Sequence, residues 1–170
     1  MTLRAVVDCM VFLQGAGRPA GPARSCFRLV DEGKVTLCVS AEILAEVHDV
    51  LTRPKTQRRF PLLSPEWAES FVENVTSKAV VFSDVPKAAG LERDPKDEPY
   101  LNLAIAAKAH YLVSRDRDLL DLMSDENFRQ RNPDLLILDP AAFLQGIARR
   151  AQSEPASAPH SEQPPEVGPA

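Results

Sequence analysis

Long apolar runs are missing from this sequence: no stretch approaches the roughly 18 residues of a membrane span, which excludes an integral helical membrane protein. The N-terminus, MTLRAVVD, lacks the charged start, apolar centre and small-residue cleavage site of a signal peptide, so a cytoplasmic protein with no membrane partner is expected. Cysteine is scarce and odd in number. Cys9, Cys26 and Cys38 form no CxxC pair, which argues against a disulfide framework or a zinc site and for reduced, packed thiols. The three histidines, His48, His110 and His160, share no ligand spacing and receive no role. Aromatics make up 6% of the chain, too few to expect base stacking as the main mode of nucleic-acid binding. Residues 151–170, AQSEPASAPHSEQPPEVGPA, contain no lysine or arginine and carry five of the fifteen prolines, the composition of a disordered tail. The net charge of −4 falls to −1 without Glu154, Glu162 and Glu166 of that tail, so net charge neither demands nor excludes a nucleic-acid partner.

What the chain does have is a 44% hydrophobic composition distributed as short strands alternating with helices over residues 1–150, enough for one domain with a real core. RAVV (4–7), VTLCV (35–39), AVVF (79–82), YLV (111–113) and LLIL (135–138) suit parallel strands buried on both faces. Residues 41–51 place Ile43, Leu44, Val47, Val50 and Leu51 on one helical face behind a capping Ser40. Ser64 and Pro65 open another helix, with Trp67, Ala68, Phe71, Val72 and Val75 as its buried stripe. Helices are further expected over 19–32, 99–108 and 140–150, and a short one near Leu119. The order βαβααβαβαβα predicts a three-layer α/β/α sandwich around a central, mostly parallel sheet.

In such sheets chemistry collects beyond the carboxyl ends of the strands, and acids fall there. Asp8 follows the first strand, Asp116 follows YLV after two residues, and Asp97 precedes the helix leading into YLV. Glu46 sits one turn inside the helix after the second strand, at the border of its apolar face. Carboxylates gathered within about 4 to 6 Å oppose folding unless a cation lies between them. Oxygen ligands without histidine or cysteine select Mg²⁺ or Mn²⁺, ions that pair with phosphate, so metal-assisted phosphodiester hydrolysis is the expected reaction class.

Taken together, VVDCMVFLQGA, VSAEILAEVHDVLTRPK, RDPKDEPYLNLAIAAKAHYLVSRDRDLL and LLILDPAAFL resemble the successive blocks of PIN-domain proteins, in the branch of toxin components of toxin-antitoxin systems, over residues 4–148. The resemblance implies a Mg²⁺- or Mn²⁺-dependent ribonuclease on a PilT N-terminus-like fold. Asp8, Glu46, Asp97 and Asp116 match the family's four acids, as catalytic and metal-binding residues, and Asp118 is a further metal candidate. It also implies an RNA substrate, a homodimer and a cognate antitoxin that blocks the site. In one respect the chain departs from the family: Cys9 and Met10 stand where Thr-Asn often follows the first acid, and supply different hydrogen bonds.

Each acid also has a plain structural reading. Asp97 can favour a helix N-terminus, Asp116 or Asp118 can cap the short helix near Leu119, Asp94 before Pro95 is a turn residue, and Glu46 can be a solvated helix position. Arg53, Lys55, Arg115 and Arg117 are the candidate substrate-binding cations, with Arg58 and Arg59 in the same basic segment, 53–60, as the first two. Two other function classes stay open: a catalytically degenerate PIN-like module that binds RNA or protein, and a phosphoacceptor signalling domain.

Overall fold

A computed structural model describes residues 2–88 and 94–154. The tail expected to be disordered, from residue 155 on, and His160 within it lie outside the described residues. Five strands, β1 (Leu3–Val7), β2 (Val35–Ser40), β3 (Val80–Phe82), β4 (Tyr111–Val113) and β5 (Leu136–Leu138), form one sheet in the order β3-β2-β1-β4-β5. Every pairing is parallel, with Leu3 opposite Val35, Cys38 opposite Val80, Ala5 opposite Tyr111 and Leu112 opposite Ile137.

The chain winds outward from β1 to β3, then crosses back and winds the other way through β4 to β5. Right-handed crossovers put the helices between β1 and β3 on one face of the sheet and those between β3 and β5 on the other. The first group comprises α1 (Cys9–Gly17), α2 (Pro22–Asp31), α3 (Ala41–Thr52), α4 (Pro54–Arg59) and α5 (Pro65–Lys78). The second comprises α6 (Glu98–Ala106), α7 (Arg117–Leu120), a 3₁₀ turn over Asp121–Ser124 and α8 (Glu126–Arg131). The last helix, α9 (Pro140–Ser153), returns to the first face, packing on α2, β4 and β5. The result is the expected α/β/α sandwich, and the winding reverses between β1 and β4, the place where parallel α/β sheets open a crevice.

Local chemistry explains most element starts. Ser40 and Ser64 accept hydrogen bonds from Ile43 N and Trp67 N and so cap α3 and α5, while Pro65 and Pro140 occupy first-turn positions where their missing N–H costs nothing. In the core, Phe12, Phe27 and Phe71 stack in sequence with ring centroids 5.1 and 5.2 Å apart, and Tyr111 meets Phe143 at 5.1 Å.

Several expectations are corrected. Burial on both faces holds for β1, β2 and β4 but not for the edge strands: Val80 and Val81 of β3 are 46% and 48% exposed, and Leu136 of β5 is 44% exposed. An edge strand has a neighbour on one side only and here lacks a full helical cover. Trp67 is half-exposed at 36% rather than part of the buried stripe, because its indole Nε1 reaches across to donate to Ala16 O at 2.8 Å. The second helix begins at Pro22, not Pro19, and the final helix runs to Ser153, past the boundary expected at Arg150. Helices α1, α4 and α8 were not anticipated. Segment 53–60 is mostly α4, with Pro54 in its first turn, where a proline reads as easily as a stop.

Candidate active site

Asp8 follows β1 directly, at the reversal of the winding. Its backbone N–H donates to Val113 O at 3.1 Å, continuing the ladder between β1 and β4. Its side chain is 7% exposed, and Oδ1 accepts from Val11 N at 3.0 Å, capping α1. The other oxygen, Oδ2, takes a hydrogen bond from Ser114 Oγ. Ser114, fully buried just past β4, accepts in turn from Asp116 N at 2.9 Å. One hydroxyl thus ties the acid of the first strand to the loop that carries the acid of the fourth. Burial pushes the Asp8 carboxyl above its ordinary value; the hydrogen bonds from Ser114, Val11 and Arg115 oppose that rise, and the nearby Asp116 carboxylate adds to it.

Asp97 stands at the N-terminus of α6, but its side chain makes no capping bond there. Its Oδ2 is buried without a hydrogen-bond partner among the described residues. Lost hydration pushes this carboxyl up to about 6, and the carboxylates of Asp116, Asp94, Asp8 and Asp118 push in the same direction. Capping therefore does not account for Asp97. Asp94, by contrast, is the turn residue it reads as, its Oδ1 accepting from Lys96 N at 3.0 Å. Asp116 does cap α7, with Oδ1 accepting from Asp118 N at 2.8 Å and Leu119 N at 3.3 Å. Yet capping and clustering coexist, because Asp97, Asp116 and Asp118 each bring one carboxylate oxygen within 4.8 Å of the others.

Glu46 lies outside that three-acid group, although it lines the same cleft as Asp8, Asp97 and Asp116. It is half-buried, and its Oε2 accepts a hydrogen bond from the Tyr100 hydroxyl at 2.8 Å, so it is not a solvated helix position. The cleft, of about 630 Å³, is also lined by three cations, Arg53, Lys96 and Arg115. Arg53 is held by Asp49, to whose Oδ2 its Nε donates at 3.0 Å. Lys55 on α4 and Arg117 on α7, expected to bind substrate, are not among the lining side chains. Tyr100, Ser114 and Lys96 join the site without being among the residues expected from the sequence. Lys96 alone carried a visible signal, a cation next to Asp97.

Asp97, Asp116 and Asp118 come close enough to share a hard divalent ion, Asp8 and Glu46 line the same cleft, and the flanking cations can attract a polyanion. A family model for the PIN domain matches residues 4–118, a span containing all five acids. Among solved structures, VapBC2 of Rickettsia felis, bound to a DNA fragment from its promoter, is similar with 15% identity and a TM-score of 0.50, covering 79% of this chain and 97% of that one. PAE2754 of Pyrobaculum aerophilum is similar with 18% identity and a TM-score of 0.53, covering 88% and 98%. At these identities both likenesses speak for the fold. Among curated proteins none matches. The family match over two-thirds of the sequence, on a sheet that brings its acids to one end, establishes that the chain belongs to the PIN-domain family.

Proposed function

We propose that the protein is a divalent-metal-dependent endoribonuclease that hydrolyses RNA phosphodiesters, and that it serves as the toxin of a toxin-antitoxin pair in the cytoplasm. The observation that carries this reading is the convergence of Asp97, Asp116 and Asp118 beside Asp8, with Oδ2 of Asp97 buried and unpartnered. An uncompensated buried carboxylate costs several kcal/mol, roughly, and neighbouring negative charge adds to the cost. Such an arrangement fits a cation, and the all-oxygen donor set fits Mg²⁺ or Mn²⁺. Asp8, Glu46, Asp97 and Asp116 would hold the ion or ions, with Asp118 contributing from the same cluster. When bound, the metal would supply a nucleophilic water at neutral pH and offset charge on the attacked phosphate.

The chain's own groups do the rest. Ser114 keeps the buried Asp8 hydrogen-bonded and fixes the loop carrying Asp116. Arg53, Lys96 and Arg115 draw the phosphate backbone toward the acids through charge attraction, which needs no base recognition. A phosphoacceptor domain would pair its early acid with a second one and place a lysine after a late strand, whereas Cys9 follows Asp8 and Ser114-Arg115 follow β4, so that alternative gains no support. The toxin reading draws on the likeness to VapBC2 and includes a cognate antitoxin and a homodimer.

Cleavage of single-stranded RNA by the native chain, Asp8→Asn and Asp116→Asn, each with and without Mg²⁺ or Mn²⁺, tests the reading. Chelation should stop the native enzyme, and each substitution should lower the rate at least about a hundredfold, the scale on which lost electrostatic stabilisation is felt. Equal cleavage by all three chains would point to a contaminant or another mechanism. A native chain that binds RNA yet never cuts it would favour the degenerate binding module.

A further inference from the structure

Tyr100 stands out among the core aromatics because its hydroxyl is committed to the cleft. The residue is 2% exposed, three positions after Asp97 on α6, and it reaches Glu46 on α3 at 2.8 Å. It is thus a side-chain hydrogen bond that ties α6 directly to the acid carried by α3. The thiol of Cys9, the residue after Asp8, lies beside the same hydroxyl. Cys9 and Met10 offer no side-chain oxygen to steady the acids, and Asp8 draws its support from Ser114 and Val11 instead. For Glu46 the corresponding support is the phenol.

We propose that Tyr100 is a positioning residue: its hydroxyl fixes the carboxylate of Glu46 so that this side chain meets a divalent cation already ordered. The inference rests on the metal-site reading above. A glutamate on a helix has three rotatable bonds, and confining them costs side-chain entropy. The hydrogen bond to Oε2 meets that cost before any ligand arrives, and it lies on a buried ring that packing already immobilises. Partners that orient metal-binding carboxylates in this way typically contribute about 10- to 100-fold to metal affinity.

Titration of the full chain with Mn²⁺, followed by electron paramagnetic resonance and calorimetry, tests this with Tyr100→Phe, Glu46→Gln and the double variant. Phenylalanine keeps the ring, so the metal-free circular dichroism spectrum of Tyr100→Phe should match that of the native chain, with the thermal midpoint lowered by no more than the loss of one hydrogen bond. Its Mn²⁺ affinity should fall about tenfold. In the Glu46→Gln background the same change should cost nothing further, since the hydroxyl acts through that carboxylate. Native-like affinity in Tyr100→Phe, or an equal loss in both backgrounds, would overturn the role of Tyr100 while leaving the metal site standing. Failure of the native chain itself to bind Mn²⁺ would overturn the metal-site reading and this inference with it.

Discussion

Folding raises the carboxyl of Asp97 from an ordinary 3.8 to about 6, chiefly through burial and then through Asp116. The folded chain therefore holds this proton more tightly than the unfolded chain does. The stability contributed by the protonated form is full below 3.8 and is lost as pH rises to about 6. In metal-free protein at pH 7, Asp97→Asn should be stabilising by about 1 kcal/mol, the full value of about 3 kcal/mol being reduced by solvent that reaches the cleft. At pH 3.5 the two chains should unfold at nearly the same urea concentration; a variant less stable than native at pH 7 would mean that the carboxylate is compensated in some other way. Ser114 presents the opposite case. Its hydroxyl satisfies both Asp8 and Asp116 N from a fully buried position, so Ser114→Ala should cost about 1–3 kcal/mol in urea unfolding, and a change below about 0.5 kcal/mol would contradict its bridging role. The acids were legible in the sequence because their place relative to strands and helices is a local property. Ser114 and Tyr100 were not, because their partners lie 106 and 54 residues away and nothing in their own neighbourhoods signals the contact.

At the scale of elements, the site depends on how closely α1 approaches α2, since Asp8 caps α1. Gly15 permits the approach: a Cβ there would meet Phe27 ring carbons at 2.4 and 2.5 Å. Phe27 has little room to move, being stacked against Phe12 on one side and Phe71 on the other. Gly15→Ala should therefore destabilise the fold by about 1–3 kcal/mol despite its better helix propensity, read as a lower urea midpoint with unchanged slope; a gain in stability would show that the two helices have slack. Helix α3, which carries Glu46, depends on its cap, and Ser40→Ala should cost about 1 kcal/mol, whereas an unaltered midpoint would show that its tertiary packing suffices alone. The starts of α3 and α5 could be read from Ser40, Ser64 and Pro65, since capping is written in adjacent residues. Helix α1 could not. Val11, Phe12, Leu13, Gly15, Ala16 and Gly17 are all buried, so the segment has no polar face to set a helical period, and its glycines argue locally against a helix.

For the molecule as a whole, alternation of strands and helices was enough to expect a parallel sheet with acids at its carboxyl edge. The strand order was not contained in that alternation. Pairing β1 with β4 joins residues more than 100 positions apart, and it is this pairing that sets Asp8 beside Ser114 and Asp116. The uncovered faces of β3 and β5 also depend on that order, because only the order makes them edges. Among the described residues no helix is long and apolar enough to cross a membrane.

The proposed site requires that one divalent ion or more neutralise acids drawn together from four parts of the fold. Anomalous diffraction from crystals of the native chain soaked in Mn²⁺ addresses it directly. A peak is predicted between the carboxylates of Asp8, Asp97 and Asp116, absent from crystals of Asp97→Asn treated in the same way. A native cleft free of anomalous density at millimolar Mn²⁺ would contradict the account.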